Sequence, residues 1–178
     1  MSEGVEKLSV GVILERRAVE NKWIDHTWHP IGAIPNPPES EPWRRLAEGD
    51  GWIQYMARVL EIELHRGETE GYELNLEGRP MVYVVLRPDD DPDHPHEVEA
   101  FHVTVCPFEA ERYVESGGEI VEGISMAPEI AAWVQDFVDK HHVEVSFQKR
   151  KRKPYDPRKG DLGRPRPGLR SGGGGNDG

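Results

Sequence analysis

The last thirty residues constrain what this chain can fold more than any other feature. From Lys149 to Gly178 the sequence reads KRKRKPYDPRKGDLGRPRPGLRSGGGGNDG, with four Pro, eight Gly and almost no apolar side chain. A segment of that composition cannot bury enough apolar surface to offset the entropy of ordering it, so disorder is expected. Folding therefore falls to residues 1–148, the size of one ordinary domain. Charge divides at the same point. The tail holds ten Lys/Arg and three Asp, or +7; the body holds 12 Lys/Arg and 30 Asp/Glu, or −18; together they give the chain's −11.

Several classes fall away. A single Cys excludes an intramolecular disulfide framework and an all-Cys zinc site. The longest apolar run, Met81 to Leu86, is six residues, far short of the roughly 18 a membrane span needs. The opening MSEGVEKLSV lacks the basic flank and apolar stretch of a secretory signal, so a soluble cytoplasmic protein without a membrane partner is expected. Nucleic acid is disfavoured as a partner, because the −18 body repels phosphates.

Periodicity within the body predicts an α+β fold: a mostly antiparallel sheet or partly open barrel, two C-terminal helices and the disordered basic tail. In Leu8, Val10, Val12 and Leu14 every second residue is apolar, which is strand spacing. Trp28 to Ile34 is a weaker strand, and Pro30 suits it to an edge. PNPPESEPW is a loop by composition. In Trp52 to His65, Leu60, Ile62 and Leu64 alternate with Glu61, Glu63 and His65. Glu68 to Leu76 hints at one or two helical turns, weakened by Gly71. Met81 to Leu86 is apolar on both faces, as a central strand is, and Phe101, Val103 and Val105 resume alternation after an acidic loop. Pro107 opens a helix that Gly117 and Gly118 stop. Pro128 opens a second, whose stripe is Ile130, Val134, Phe137, Val138 and His141. Val143, Val145 and Phe147 alternate as a last strand.

The candidate chemistry is sparse. His94, His96 and His102 lie near Asp89, Asp90, Asp91 and Asp93, residue types that suit zinc. Pro92 and Pro95 break the segment, however, so it reads as a solvated loop and no metal is assigned. Cys106 stands at a helix N-terminus, where a thiol's pKa is lowered, which makes it the candidate reactive thiol; a small buried residue at a strand end is the plainer reading. Trp23, Trp28 and Trp43 cluster in the N-terminal third and serve either as core rings or as a recognition groove. Trp43, in the Pro-rich loop, is the more accessible to a partner. No P-loop, GxGxxG, HExxH or GxSxG motif occurs, so no catalytic residue and no cofactor is assigned. Lys149, Arg150, Lys151, Arg152 and Lys153 form a basic run suited to an anionic partner.

Five segments carry a resemblance: Gly11 to Arg17 (GVILERR), the pattern Trp23, His26, Trp28 and Pro30, Glu63 to Glu77, Cys106 to Met126, and the closing KRKRKP. In order and spacing the chain resembles the bacterial domain-of-unknown-function 3305 family over most of residues 8–154. Genes of that family often lie beside those of molybdenum-dependent formate dehydrogenases and their maturation factors. The resemblance implies an accessory role in assembly, cofactor delivery or stability of such an enzyme. It points to a dehydrogenase subunit or maturation factor as partner, and to the anionic molybdenum cofactor as a ligand of the tail. Arg16, Arg17, Trp23, Trp28 and Trp43 would form the docking surface, together with Lys149 to Lys153. The alternatives are a sulfur carrier or small enzyme using Cys106, and a nucleic-acid-binding regulator acting through the tail.

Overall fold

A computed structural model describes residues 4–146, with side chains as far as His141. Two antiparallel sheets carry the chain. The first is built on two long strands, β1 (Val5–Ala18) and β4 (Trp52–His65), paired along their length. β2 (His26–Pro35) adds outside β1 and β3 (Arg44–Gly49) outside β4, giving the order β2-β1-β4-β3. Pro30, which has no N–H to donate, lies in edge strand β2, as its chemistry requires. In the second sheet β5 (Met81–Pro88) is central, between β6 (Val98–Thr104) and β7 (Ile120–Ser125). Both sheets are open rather than closed into a barrel.

The apolar alternation read from sequence faces the core. Val10, Val12, Leu14, Ile62 and Leu64 have no exposed surface, and they join Val82, Val84, Leu86 and Val103 in one cluster. A register shift in the β1–β4 ladder changes which residues face the core. Val10 pairs with Leu60 and Val12 with Arg58, but Ile13 pairs with Met56 and Leu14 with Tyr55. The extra residue, Ala57, moves Tyr55 onto the core face. A similar irregularity in β6 pairs Val85 with His102 but Leu86 with Ala100. Phe101, expected on the same face as Val103, is turned outward by it, and the Arg87 guanidinium lies 3.3 Å from its ring centroid.

Among the described residues there are three α-helices: the two expected toward the C-terminus and the short one hinted at over Glu68 to Leu76. α1 (Thr69–Glu77) follows a single 3-10 turn at Arg66–Glu68, α2 (Pro107–Ser116) joins β6 to β7, and α3 (Pro128–Ser146) follows β7. Gly71, which argued against helix in the sequence, is explained by packing: a Cβ there would stand 2.8 Å from the Cys106 Sγ. Asn75 fixes α1 to the second sheet. Its amide donates to the Met81 and Val105 carbonyls at 2.9 and 2.8 Å, and its Oδ1 accepts from the Met81 N–H at 3.0 Å. The α3 stripe is buried as expected: Ile130, Val134, Phe137, Val138 and His141 are 6% exposed or less.

Two strands lacked a sequence signal. β3 holds one large apolar residue, the exposed Leu46, and β7 buries only Ile124. The expected strand over Val143, Val145 and Phe147 is corrected. α3 runs on through Ser146, adding a backbone hydrogen bond with each residue where an isolated strand would have had no neighbour. Phe147 and the basic tail 149–178 lie outside the described residues. No helix among the described residues is long and apolar enough to cross a membrane.

Candidate functional site

At the end of the first sheet nearest the β1–β2 connection, ring-bearing side chains from four segments meet. Trp28 (β2) and Tyr55 (β4) come from the sheet, Trp43 from the end of the Pro-rich loop, and His94 and His96 from the acidic loop between β5 and β6. Trp28 meets Trp43 edge-on at 5.5 Å and Tyr55 at 5.9 Å. His96 stacks on Trp43 with centroids 4.0 Å apart and lies 4.9 Å from Tyr55. Trp43 adopts a left-handed backbone, φ 64°, uncommon for a bulky residue. Its ring contacts offset that strain.

Trp28 and His94 find polar partners within the cluster, while the His96 Nδ1 is buried without a hydrogen-bond partner. The Trp28 indole donates to Glu97 Oε2 at 3.1 Å. The His94 Nδ1 lies 2.7 Å from the His96 carbonyl and 3.1 Å from Asp89 Oδ2. Burial holds His96's pKa below the usual histidine value, and the charges of His94 and Arg16 push it the same way. Trp28 is only 8% exposed and fastens sheet to loops, whereas Trp43 and His94 line a cavity of about 290 Å³ with Arg58, Asp89 and Glu99.

Exposure concentrates elsewhere. The connection between β1 and β2 is closed by the Val19 N–H donating to the Asp25 carbonyl at 3.1 Å. At its tip the Trp23 N–H donates to the Asn21 side chain at 2.9 Å, an Asx turn. Trp23 is 89% exposed and its neighbour Ile24 49%. On the outer face of the first sheet, Pro37, Pro38 and Pro42 line an open groove of about 770 Å³ with Ser9 and Val59, and Glu39 and Glu41 also border it. The prolines of that loop, not Trp43, are what a partner would meet there.

The N-terminus of α2 carries the other candidates. Cys106 is buried, 2% exposed, and burial pushes its thiol up despite backbone hydrogen bonds from Phe108 and Glu109. The lowering expected from the helix N-terminus is thus outweighed by desolvation. His102 lies on β6, with its Nε2 2.6 Å from Glu109 Oε1, and the Thr104 hydroxyl donates to Glu109 Oε2 at 2.9 Å. Burial raises the Glu109 carboxyl's affinity for a proton, but these two hydrogen bonds outweigh it and hold the carboxyl below the usual range. Among the described residues no group of three or more His, Cys, Asp or Glu is placed to hold a metal ion.

A family model described as a protein of unknown function, DUF3305, matches residues 9–152. The chain belongs to the DUF3305 family. No curated protein and no solved structure matches it. Within this DUF3305 domain the residues singled out in the sequence part company. Trp28 and Trp43 come together, with Arg16 on the same sheet face through its pairing with Trp28. Arg17 points to the opposite face and is tied to Glu15 at 2.9 Å. Trp23 stands apart at the loop tip, and Lys149 to Lys153 lie outside the described residues. His94 and His96 are neighbours, but His102 belongs to α2's N-terminus.

Sequence reasoning missed Tyr55, Glu97 and Ile24. Tyr55 needed the bulge at Ala57, and Glu97 needed the fold to bring it to Trp28. Ile24 carried a readable signal: an apolar pair, Trp23-Ile24, inside the polar run ENKWID.

Proposed function

We propose that this DUF3305 protein is a non-enzymatic accessory protein that docks onto a partner through the tip of its β1–β2 connection. The observation that carries this reading is Trp23, 89% exposed and beside the half-exposed Ile24 on a tethered turn. A large ring held out in water has few rotatable bonds to freeze on binding and supplies the kind of anchor that dominates interfaces. The His102–Glu109–Thr104 group at the start of α2 is closed by its own hydrogen bonds, which supports binding over chemistry there.

For the partner we propose a molybdenum- or tungsten-dependent formate dehydrogenase subunit or one of its maturation factors, on the strength of the resemblance carried by segments 11–17, 63–77 and 106–126. In this reading the protein works in the cytoplasm, and the run Lys149 to Lys153 tethers an acidic partner or the phosphates of its anionic cofactor, to which Arg forks are matched. Cys106 as a sulfur carrier is disfavoured by its burial, and Cys106→Ser is expected to retain full function. A nucleic-acid role through the tail would give affinity that falls steeply with salt, against the charge of the body.

Co-purification tests the proposal. The tagged chain is expected to bring down the dehydrogenase or a maturation factor, and a deletion strain to lose dehydrogenase activity. A chain that recovers neither, with normal activity in the deletion strain, would overturn it.

A further inference from the structure

Arg16 is out of keeping with its surroundings. Its body carries 30 acidic residues, and Arg17, Arg45, Arg58, Arg87 and Arg112 each pair with one of them. Arg44 and Arg79 are exposed to water. Arg16 is half-buried, yet among the described residues no ion pair or side-chain hydrogen bond engages its guanidinium. A partly desolvated cation without a counter-charge is costly, and in so acidic a molecule a carboxylate partner would have been easy to supply.

The place it occupies is a small cavity of about 180 Å³ at the end of the first sheet, lined by Arg16, Ala18, His26, Glu48, Trp52 and Ile53. Arg16 pairs across the ladder with Trp28, and Ala18 with His26. Arg16 and His26 therefore share one sheet face as diagonal neighbours, roughly 7–8 Å apart at the backbone and within reach of long side chains. The His26 Nδ1 is a second orphan: it is shut off from solvent and has no hydrogen-bond partner. A buried, unsatisfied ring nitrogen calls for a missing partner. The cavity's one carboxylate, Glu48, is exposed and makes its ion pair with Arg45 at 3.3 Å rather than with Arg16. The turn that floors the cavity is held by the Ala18 N–H donating to the Gly51 carbonyl at 2.7 Å.

We propose that this cavity is a binding site for a small oxyanion, a phosphate or a carboxylate, held by the Arg16 guanidinium with His26 as the second donor. The guanidinium fork matches two oxygens of either anion. His26 lines the cavity with its Nδ1 closed to solvent, so it joins as a donor only when the ring turns toward the ion, in the tautomer that carries a proton there. The space is equivalent to about six waters at ~30 Å³ each, enough for the ion with some hydration and too small for a nucleotide. This site is independent of the Trp23 reading: it lies on the core side of the sheet, and its occupation would hold the ends of β1, β2 and the β3–β4 turn together.

The test is a titration of the full-length chain with sodium phosphate and, separately, sodium acetate at constant ionic strength. The Arg16 Nε–H and His26 ring signals are followed by NMR. Saturable shifts at both residues with at least one anion are expected, and the better anion identifies the ligand. Arg16→Gln is expected to weaken binding about tenfold or more, the loss of a charge-assisted hydrogen bond. His26→Phe, on an edge strand that tolerates change, is expected to weaken it as well and serves if Arg16→Gln does not fold. Shifts confined to arginines of the basic tail, or saturation unchanged in both variants, would overturn the assignment.

Discussion

Gly71 and Cys106 form a contact whose energetic role can be isolated. A methyl group at Gly71 would come within 2.8 Å of the Cys106 Sγ and 3.2 Å of the Phe108 ring. Gly71→Ala is expected to destabilise the fold by about 1–3 kcal/mol, the usual cost of overpacking. Part of that cost should disappear in a Cys106→Ala background, because the sulfur is the closer obstacle. Urea melts of the four chains measure this, and equal costs in both backgrounds would contradict it. Glu109 gives a prediction in pH. Its carboxyl is held below its ordinary value in the folded state, so the stability it supplies is fully present above about pH 4.3 and fades as pH falls through the folded value. Glu109→Gln should therefore cost about 1–3 kcal/mol at neutral pH and progressively less on acidification. A difference that stays constant to low pH would show that the His102 and Thr104 contacts carry no ionic component.

At the scale of elements, the end of α2 separates backbone strain from packing. Gly117 closes the helix at φ 74° with its N–H donating to the Val114 carbonyl, while Gly118 has an ordinary φ; a Cβ at either would touch nothing. Gly117→Ala should cost about 1 kcal/mol and Gly118→Ala nothing, or slightly stabilise, as thermal melts can show. Elements with a strong period were legible in the sequence for physical reasons. β1, β4 and α3 each bury one face, so their apolar residues had to recur at the spacing of that face. β5 is central, with Val82, Val84 and Leu86 buried on one face and Val85 buried beside the half-buried Met81 and Tyr83 on the other, in keeping with its unbroken apolar run. β3 and β7 are edge strands whose hydrogen bonds matter more than their side chains, and nothing in RRLAEG or IVEGIS announces that. The alternation after His141 misled because valines at every second position also fit a helix when a long helix already leads into them. Bulges were invisible too: those at Ala57 and Phe101 follow from register, which the spacing of apolar residues does not encode.

For the whole molecule, the candidate sites were legible as residues but not as places. The sequence drew attention to Trp23, Trp28 and Trp43 together, yet only the fold separates the exposed ring from the two that fasten loops to the sheet. The division of charge into −18 and +7 argues for a molecule that avoids polyanions with its body, while Trp23 and Ile24 give that body an apolar point of contact. Removing that contact should leave the fold alone, since Trp23 buries almost nothing. The most direct test is to compare the tagged chain with its Trp23→Ala variant in co-purification from the native organism, with both melting temperatures measured. Docking through the loop tip predicts that the original chain recovers the formate dehydrogenase or its maturation factor, and that the variant, equally stable, loses at least about tenfold of it, as expected for a hot-spot ring. Equal recovery by the two chains would contradict the account.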